Sequence, residues 1–572
     1  MSINVSSPDE RNSMKSTPGL SHARFRRLAA TGIERKHHRF MVALIATVVA
    51  SGCHGQSAHS QPISSQVVLL SGTVQGTQRD ANGVMAFKGM PYAAAPVGQL
   101  RWRPPQPAPV WQGTRDATAF GARCEGSPLL GPAPAGNVQS EDCLTVNVWT
   151  AAQTAGEKRP VMVWIHGGGF QTGVPTPASP TTDGSGLAAD GVVLVSLNYR
   201  LGVFGFLAHP ALDSEGTPSG NFGLQDQIAA LKWVRSNISR FGGDPDNVTI
   251  FGQSAGAMSV GILMSSPLAH GLFQKAIGES GAFWDSEHGS LQTLAEARVR
   301  GEALATQLAG GDINGLRAIS ADALLTAAPW SIQNDPVTGA FSPSVDGYVL
   351  PDSPANVFAH GRQSHVPLLA GRNGAEGVIF MSGALPHDSA ASFEAAAAAQ
   401  FGPGRLSEFL DNYPASSDTV TVASAQTLIG DLRINEQSWE WIQLQRQTGA
   451  APVYAYQFNY NSPYLPAPVH ASEVPFVFGT LTPQPAAPAV APGTQDRALS
   501  NQMMNYWINF ARTGNPNGPG LPCWPAYAIN GSQVMLFGTT SHAAPESDTS
   551  RLRFLRSFRF NGRFPDSWRQ TG

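Results

Sequence analysis

Val248-Thr249-Ile250-Phe251-Gly252-Gln253-Ser254-Ala255-Gly256-Ala257 opens as an apolar, β-branched run and breaks into Gly-x-Ser-x-Gly. The first half has the composition of a strand. The two glycines permit a sharp turn in which side chains would clash. Such a turn lifts the Ser254 hydroxyl clear of the end of a sheet, open to a base on one side and a substrate on the other. With 60 glycines in the chain, a bare Gly-x-Ser-x-Gly says little, and an idle serine in an ordinary turn is the alternative. The flanks supply the context. Residues 257–264 have apolar side chains at helix-compatible spacing and no proline, so strand, turn and helix follow in the order the motif requires.

Outward from this point, strand-like runs occupy 161–165, 192–197, 366–370 and 453–458, and a shorter one lies at 67–70. The clearest helix is 223–240, with Leu224, Ile228, Leu231, Trp233 and Val234 on or near one face. Strands alternating with helices predict an α/β layered domain with a mostly parallel sheet. From residue 67 onward there is no internal repeat, long charge run or separating linker, so 67–565 reads as a single domain. The 572 residues are 42% hydrophobic and 13% charged, with a net charge of −3. That balance gives no electrostatic case for a nucleic-acid partner.

The N-terminus reads differently. Arg24, Arg26, Arg27, Arg35, Lys36 and Arg39 precede a short apolar run at 41–50, which suits a signal-peptide core and is too short to span a bilayer. It ends in Ala50-Ser51-Gly52-Cys53, similar to a bacterial lipoprotein processing site, with Ala50 where leucine is usual. Residues 1–52 are therefore expected to be a leader and 53–66 a polar linker. The long basic region leaves Met14 as an alternative start. The protein is expected to be exported: periplasmic and anchored to the outer membrane through lipidated Cys53, or plainly secreted. Four cysteines fit that route. Cys124 and Cys143 are near enough in sequence to close a small loop, although spacing leaves their pairing open. Cys523 reads as a buried free thiol.

Residues 161–165 run into His166-Gly167-Gly168-Gly169-Phe170. Three glycines after a buried strand leave backbone N–H groups bare, able to approach a substrate oxygen that becomes negative. A flexible glycine loop is the plainer reading, but its place upstream of the serine turn favours the oxyanion role.

Several longer stretches resemble one family. Residues 242–256, from Gly242-Gly243-Asp244-Pro245 to the serine turn, look like the active-site signature of the type-B carboxylesterase/lipase family, the cholinesterase-like α/β-hydrolases. Glu141-Asp142-Cys143-Leu144-Thr145-Val146-Asn147-Val148 resembles its second signature. Phe87-Lys88-Gly89-Met90-Pro91-Tyr92-Ala93, Leu100-Arg101-Trp102-Arg103-Pro104-Pro105, Asn198-Tyr199-Arg200-Leu201-Gly202 and the stretch 507–516 also fit, from about residue 67 to about 560. The resemblance implies the α/β-hydrolase fold, with a large, mostly parallel central sheet flanked by helices. It implies a serine carboxylesterase that needs no metal and no cofactor. In the family's pattern the acid is Glu376, in Gly371-Arg372-Asn373-Gly374-Ala375-Glu376-Gly377, and the base is His470, in His470-Ala471-Ser472-Glu473. Ser254, Glu376 and His470 then follow in α/β-hydrolase order. The residues alone leave the base open among 14 histidines, His360, His365 and His387 included. Asp346 is a rival acid, though Val345-Asp346-Gly347 reads as a turn. By the resemblance the oxyanion hole is Gly168, Gly169 and Ala255, Cys124 and Cys143 are disulfide-bonded, and Ser280 supports the triad acid.

Two departures bear on substrate. Cholinesterases carry a tryptophan in the loop closed by that disulfide, and residues 125–142 contain none. Gln253 stands where cholinesterases use glutamate. Both argue against a choline ester and for a general small-molecule ester. Phe170, Trp284 and Phe380 are candidates to line an apolar pocket, with ordinary core packing as the alternative. Two other functions stay open: a lipase, with the Ala-rich 390–400 and Pro-rich 464–469 bordering a lid, and a non-catalytic binding protein on the same fold.

Overall fold

A computed structural model describes residues 62–127, 138–173, 180–281, 291–330, 341–483 and 489–559. The leader, Cys53, most of the expected linker, Trp284 and the boundary at 565 lie outside these residues. The five longest apolar runs all enter one ten-stranded sheet. In chain order its strands are β1 (Met85–Pro91), β2 (Thr145–Thr150), β3 (Arg159–Ile165), β4 (Val193–Leu197), β5 (Gly243–Gln253), β6 (Lys275–Glu279), β7 (Leu368–Asn373), β8 (Val453–Phe458), β9 (Gln533–Phe537) and β10 (His542–Pro545). Across the sheet they lie in the order β1-β2-β4-β3-β5-β6-β7-β8-β9-β10. The pairs from β4 to β9 are parallel. The pairs β1–β2, β2–β4 and β9–β10 are antiparallel.

Burial on both faces explains why these strands read as continuous apolar runs rather than alternating ones. On β3, Val161, Val163 and Ile165 face one core, while Met162 and Trp164 face the other. The second core is strongly aromatic. There the ring of Trp524 meets that of Phe537 edge-on at 5.5 Å.

The helix expected at 223–240 is α1 (Phe222–Asn237), and its chain tightens into a 3-10 turn over Ile238–Phe241. Gly242, in the left-handed region at φ 79°, ends that turn. After β5 comes α2 (Ala255–Ser265), every residue of which is buried. The Ala-rich stretch is α3 (Ala390–Phe401), which inserts Phe393, Ala397 and Phe401 into a cluster with Phe409, Phe554 and Phe558. It is a packed helix, not a lid. The Pro-rich stretch is a loop pinned by Tyr464, whose hydroxyl donates to the Thr482 carbonyl at 3.0 Å.

The end of the expected linker belongs to the fold. Ile63 is buried and its N–H donates to the Gln153 carbonyl at 2.8 Å. The strand expected at 67–70 is Gln66–Val68, paired with Thr73–Gln75 in a separate small sheet. Cys124 and Cys143 form a disulfide with Cα atoms 5.0 Å apart. Cys523 corrects the sequence reading, because it is exposed. Its neighbour Trp524 fills the core at that point instead.

Candidate active site

The serine turn, the acid turn and the base turn all follow the carboxyl ends of parallel strands, where open α/β sheets bind their ligands. The Gly-x-Ser-x-Gly chemistry has a steric cause. A Cβ on Gly252 would lie 2.6 Å from the Ile165 carbonyl oxygen, and one on Gly256 only 2.0 Å from it. Only glycine lets α2 start this close to β3. Between them Ser254 sits at φ 56°, ψ −126°, a strained conformation for any residue with a side chain. The turn is braced by the Ser254 N–H, which donates to the Glu279 carbonyl at 2.9 Å.

The glycine loop after β3 folds against this turn. A Cβ on Gly167 would come within 3.1 Å of Ser254 Cβ. The Gly168 carbonyl is turned back to accept the N–H groups of Gln171 and Thr172, each at 3.0 Å. Among the described residues, the N–H groups of Gly168, Gly169 and Ala255 have no hydrogen-bond partner. His166 braces the loop. Its ring stacks on Tyr199 at 4.5 Å, and its Nδ1–H donates to the Gly167 carbonyl at 2.9 Å. Burial pushes the His166 pKa down to about 4, so the ring is neutral at ordinary pH.

The other two turns meet through Ala375, which bridges to Val469. Glu376 is buried, its Oε1 accepting the Asn373 N–H at 2.6 Å. Its Oε2 lies 2.5 Å from His470 Nδ1. The opposite ring nitrogen, Nε2, lies 3.0 Å from Gln253 Nε2, at the serine turn. The predicted acid and base are thus in contact, and the base lies against the residue that precedes the predicted nucleophile. The rival histidines are not part of this contact. His360, His365 and His387 bond the nearby carbonyls of Asn356, Gly361 and Leu385. Asp346 closes its own turn, accepting from the Tyr348 and Leu350 N–H groups.

Ser280 is placed differently from expectation. Its hydroxyl lies 3.4 Å from Glu473 Oε1, so it reaches Glu473 rather than Glu376. Phe380 stays at the site, its ring 5.3 Å from that of His470. Phe170 is buried core, edge-on to Phe206 at 5.4 Å.

Behind the acid lie two further buried carboxyls that sequence reading did not weigh. Glu473 is hydrogen-bonded by the Asn373 amide, and Glu279 accepts Trp507 Nε1–H at 2.7 Å. Burial and the nearness of Glu376 push Glu473 up to about 7. Burial and Glu473 push Glu279 well above the ordinary carboxyl range, and the Trp507 bond only partly offsets this. A signal did exist: both residues stand inside quoted motifs, His470-Ala471-Ser472-Glu473 and Glu279-Ser280-Gly281.

Residues 63–555 match the model of the carboxylesterase family. The chain belongs to that family. It is 39% identical over 510 residues to the para-nitrobenzyl esterase of Bacillus subtilis, covering 86% of this chain and 99% of the relative. It is 38% identical over 483 residues to the fumonisin B1 esterase of Sphingopyxis macrogoltabida, covering 82% and 85%. Among solved structures, a carboxylesterase of Geobacillus stearothermophilus superposes with a TM-score of 0.72 at 36% identity, covering 86% of this chain and 99% of that one. The fold is therefore that of the α/β-hydrolases, and the protein is a carboxylic ester hydrolase acting on small-molecule esters. Within this carboxylesterase, residues of the family's motifs cluster at one end of the sheet, as the carboxyl-end rule requires.

Proposed function

We propose that this carboxylesterase cleaves its ester through an acyl-enzyme on Ser254, with His470 as base and Glu376 as the acid that orients it. The observation carrying this reading is the Glu376 contact to His470 Nδ1 at 2.5 Å, with Nε2 facing the serine turn. A proton on Nδ1, donated to the carboxylate, makes the Nε2 lone pair the acceptor for the serine proton. As Nε2 takes that proton, Ser254 Oγ attacks the carbonyl carbon and the C=O electrons move onto oxygen. The N–H groups of Gly168, Gly169 and Ala255 hold that oxyanion, each such donor being worth about 3–4 kcal/mol in hydrolases of this kind. The imidazolium then protonates the departing alkoxide as the C–O bond breaks. Water, deprotonated by the same nitrogen, attacks the acyl-enzyme, and the carboxylic acid leaves with Ser254 restored. Gln253, in place of a carboxylate beside the nucleophile, favours esters without a quaternary ammonium. Replacing Ser254 by alanine should lower kcat on p-nitrophenyl esters by on the order of 10⁶-fold with an unchanged melting temperature. Near-normal turnover in that variant would remove Ser254 from the mechanism.

The N-terminus adds an address. Its basic residues, the apolar run 41–50 and Ala50-Ser51-Gly52-Cys53 support export with lipid on Cys53. The Cys124–Cys143 disulfide suits an oxidising compartment. Cys53→Ser should abolish labelled-palmitate incorporation and move the protein out of the membrane fraction. Equal labelling of variant and wild type would refute the anchor.

A further inference from the structure

Gln253 is next to the nucleophile in sequence, and its side chain is next to the base in space. Its Nε2 lies 3.0 Å from His470 Nε2, while His470 Nδ1 faces Glu376 at 2.5 Å. With the ring proton on Nδ1, Nε2 is an acceptor, so the Gln253 amide N–H donates to it. That lone pair is the one required to take the Ser254 proton. Among the described residues, the Ser254 hydroxyl has no hydrogen-bond partner of its own. Gln253 also packs closely on the glycine loop, where a Cβ on Gly167 would lie 3.1 Å from Gln253 Oε1 and 2.7 Å from the Gln253 carbonyl oxygen.

We propose that Gln253 is a positioning residue for the base: its amide occupies Nε2 of the neutral imidazole in the free enzyme and yields it to Ser254 when the ester enters. The proposal rests on the Ser254–His470–Glu376 reading and deepens it. It has an electrostatic consequence. An N–H pointed at Nε2 stabilises the neutral ring and opposes the protonated one. The other groups facing His470 do not. Glu376 on Nδ1 favours the cation, Glu473 stands behind Glu376, and the Phe380 ring edge is uncharged. Gln253 is thus the group that meets the base on its Nε2 side among the described residues. A carboxylate of equal length in the same place would reverse the bias, because it would pair with the cation.

The test is the pH profile of kcat/KM on a p-nitrophenyl ester for wild type, Gln253→Met and Gln253→Glu. Loss of the donor in Gln253→Met should raise the low-pH midpoint modestly. The added charge in Gln253→Glu should raise it by about one unit, a roughly tenfold loss of kcat/KM on the acid limb. A merely structural role for Gln253 would lower activity at every pH without moving the midpoint. Should Gln253→Glu fail to fold, the Met variant and the pH dependence of fluorophosphonate labelling carry the same comparison. Midpoints of both variants equal to wild type overturn the proposal. His470→Ala in the same assay separates the two levels. An inactive His470→Ala alongside unmoved Gln253 midpoints defeats only the role of Gln253, whereas an active His470→Ala defeats the base assignment beneath it.

Discussion

Strand β7 and the turn after it place two charged side chains in the interior, and the two are held in opposite ways. Arg372 points into a cluster with two carboxylates, 3.0 Å from Glu546 and 2.7 Å from Asp548. Burial alone would weaken its charge, but Asp548 and Glu546 outweigh it and the guanidinium is held more firmly protonated than usual. Glu376, four residues later, has the reverse company. Behind it stand Glu473 and Glu279, and among the described residues no lysine or arginine pairs with any of the three. One cluster pairs its buried acids with a guanidinium. The other holds three carboxyls without such a partner, and two of them, Glu473 and Glu279, are pushed up by burial and by a neighbouring carboxyl. The difference separates structure from chemistry on a single strand. The paired cluster ties the segment after β10 to the sheet. The unpaired one lowers stability and stands directly behind the carboxyl that meets His470.

Breaking the arginine-paired cluster should have the larger effect on stability. Arg372→Met leaves Glu546 buried without its cation and Asp548 with only Arg551 at 3.7 Å, a loss of about 3–5 kcal/mol for a buried pair deprived of one partner. A fall in melting temperature of several degrees in a thermal scan is expected, and an unchanged melting temperature would show that the cluster is not held by charge. The cluster without a basic partner should respond in the opposite sense. Because the folded-state pKa of Glu473 is raised from 4.5 to about 7, its contribution to stability is fully present below pH 4.5 and is lost as pH rises through about 7. Glu473→Gln removes that titration. The drop in melting temperature between pH 5 and pH 8 should be smaller in the variant by a few degrees, and identical drops would place the proton elsewhere.

The same contrast marks what was legible in the sequence. Apolar strands buried on both faces announced themselves, and 453–458 was read to the residue. The strand expected at 366–370 is displaced to Leu368–Asn373, because its polar end, Arg372-Asn373, is buried by pairing rather than by hydrophobicity. β5 begins at Gly243, five residues before its apolar run, since Gly243-Asp244-Pro245-Asp246-Asn247 has turn composition and joins β3 across a bulge. The serine turn was legible because the steric demands on Gly252 and Gly256 are local. The acid and base needed the family pattern, as His470 meets Glu376 across 94 positions of sequence. The hold of Gln253 on His470, across 217 positions, has no local signal at all. Nor has the distance from Ser280 to Glu473, which placed the serine on the second carboxyl rather than the first.

The central claim is that Ser254 is the nucleophile activated by this turn. A fluorophosphonate probe with peptide mapping addresses it directly. The account predicts one label per chain, on the peptide carrying Ser254, and none in Ser254→Ala. A label on another residue, or an active enzyme that stays unlabelled, would contradict it.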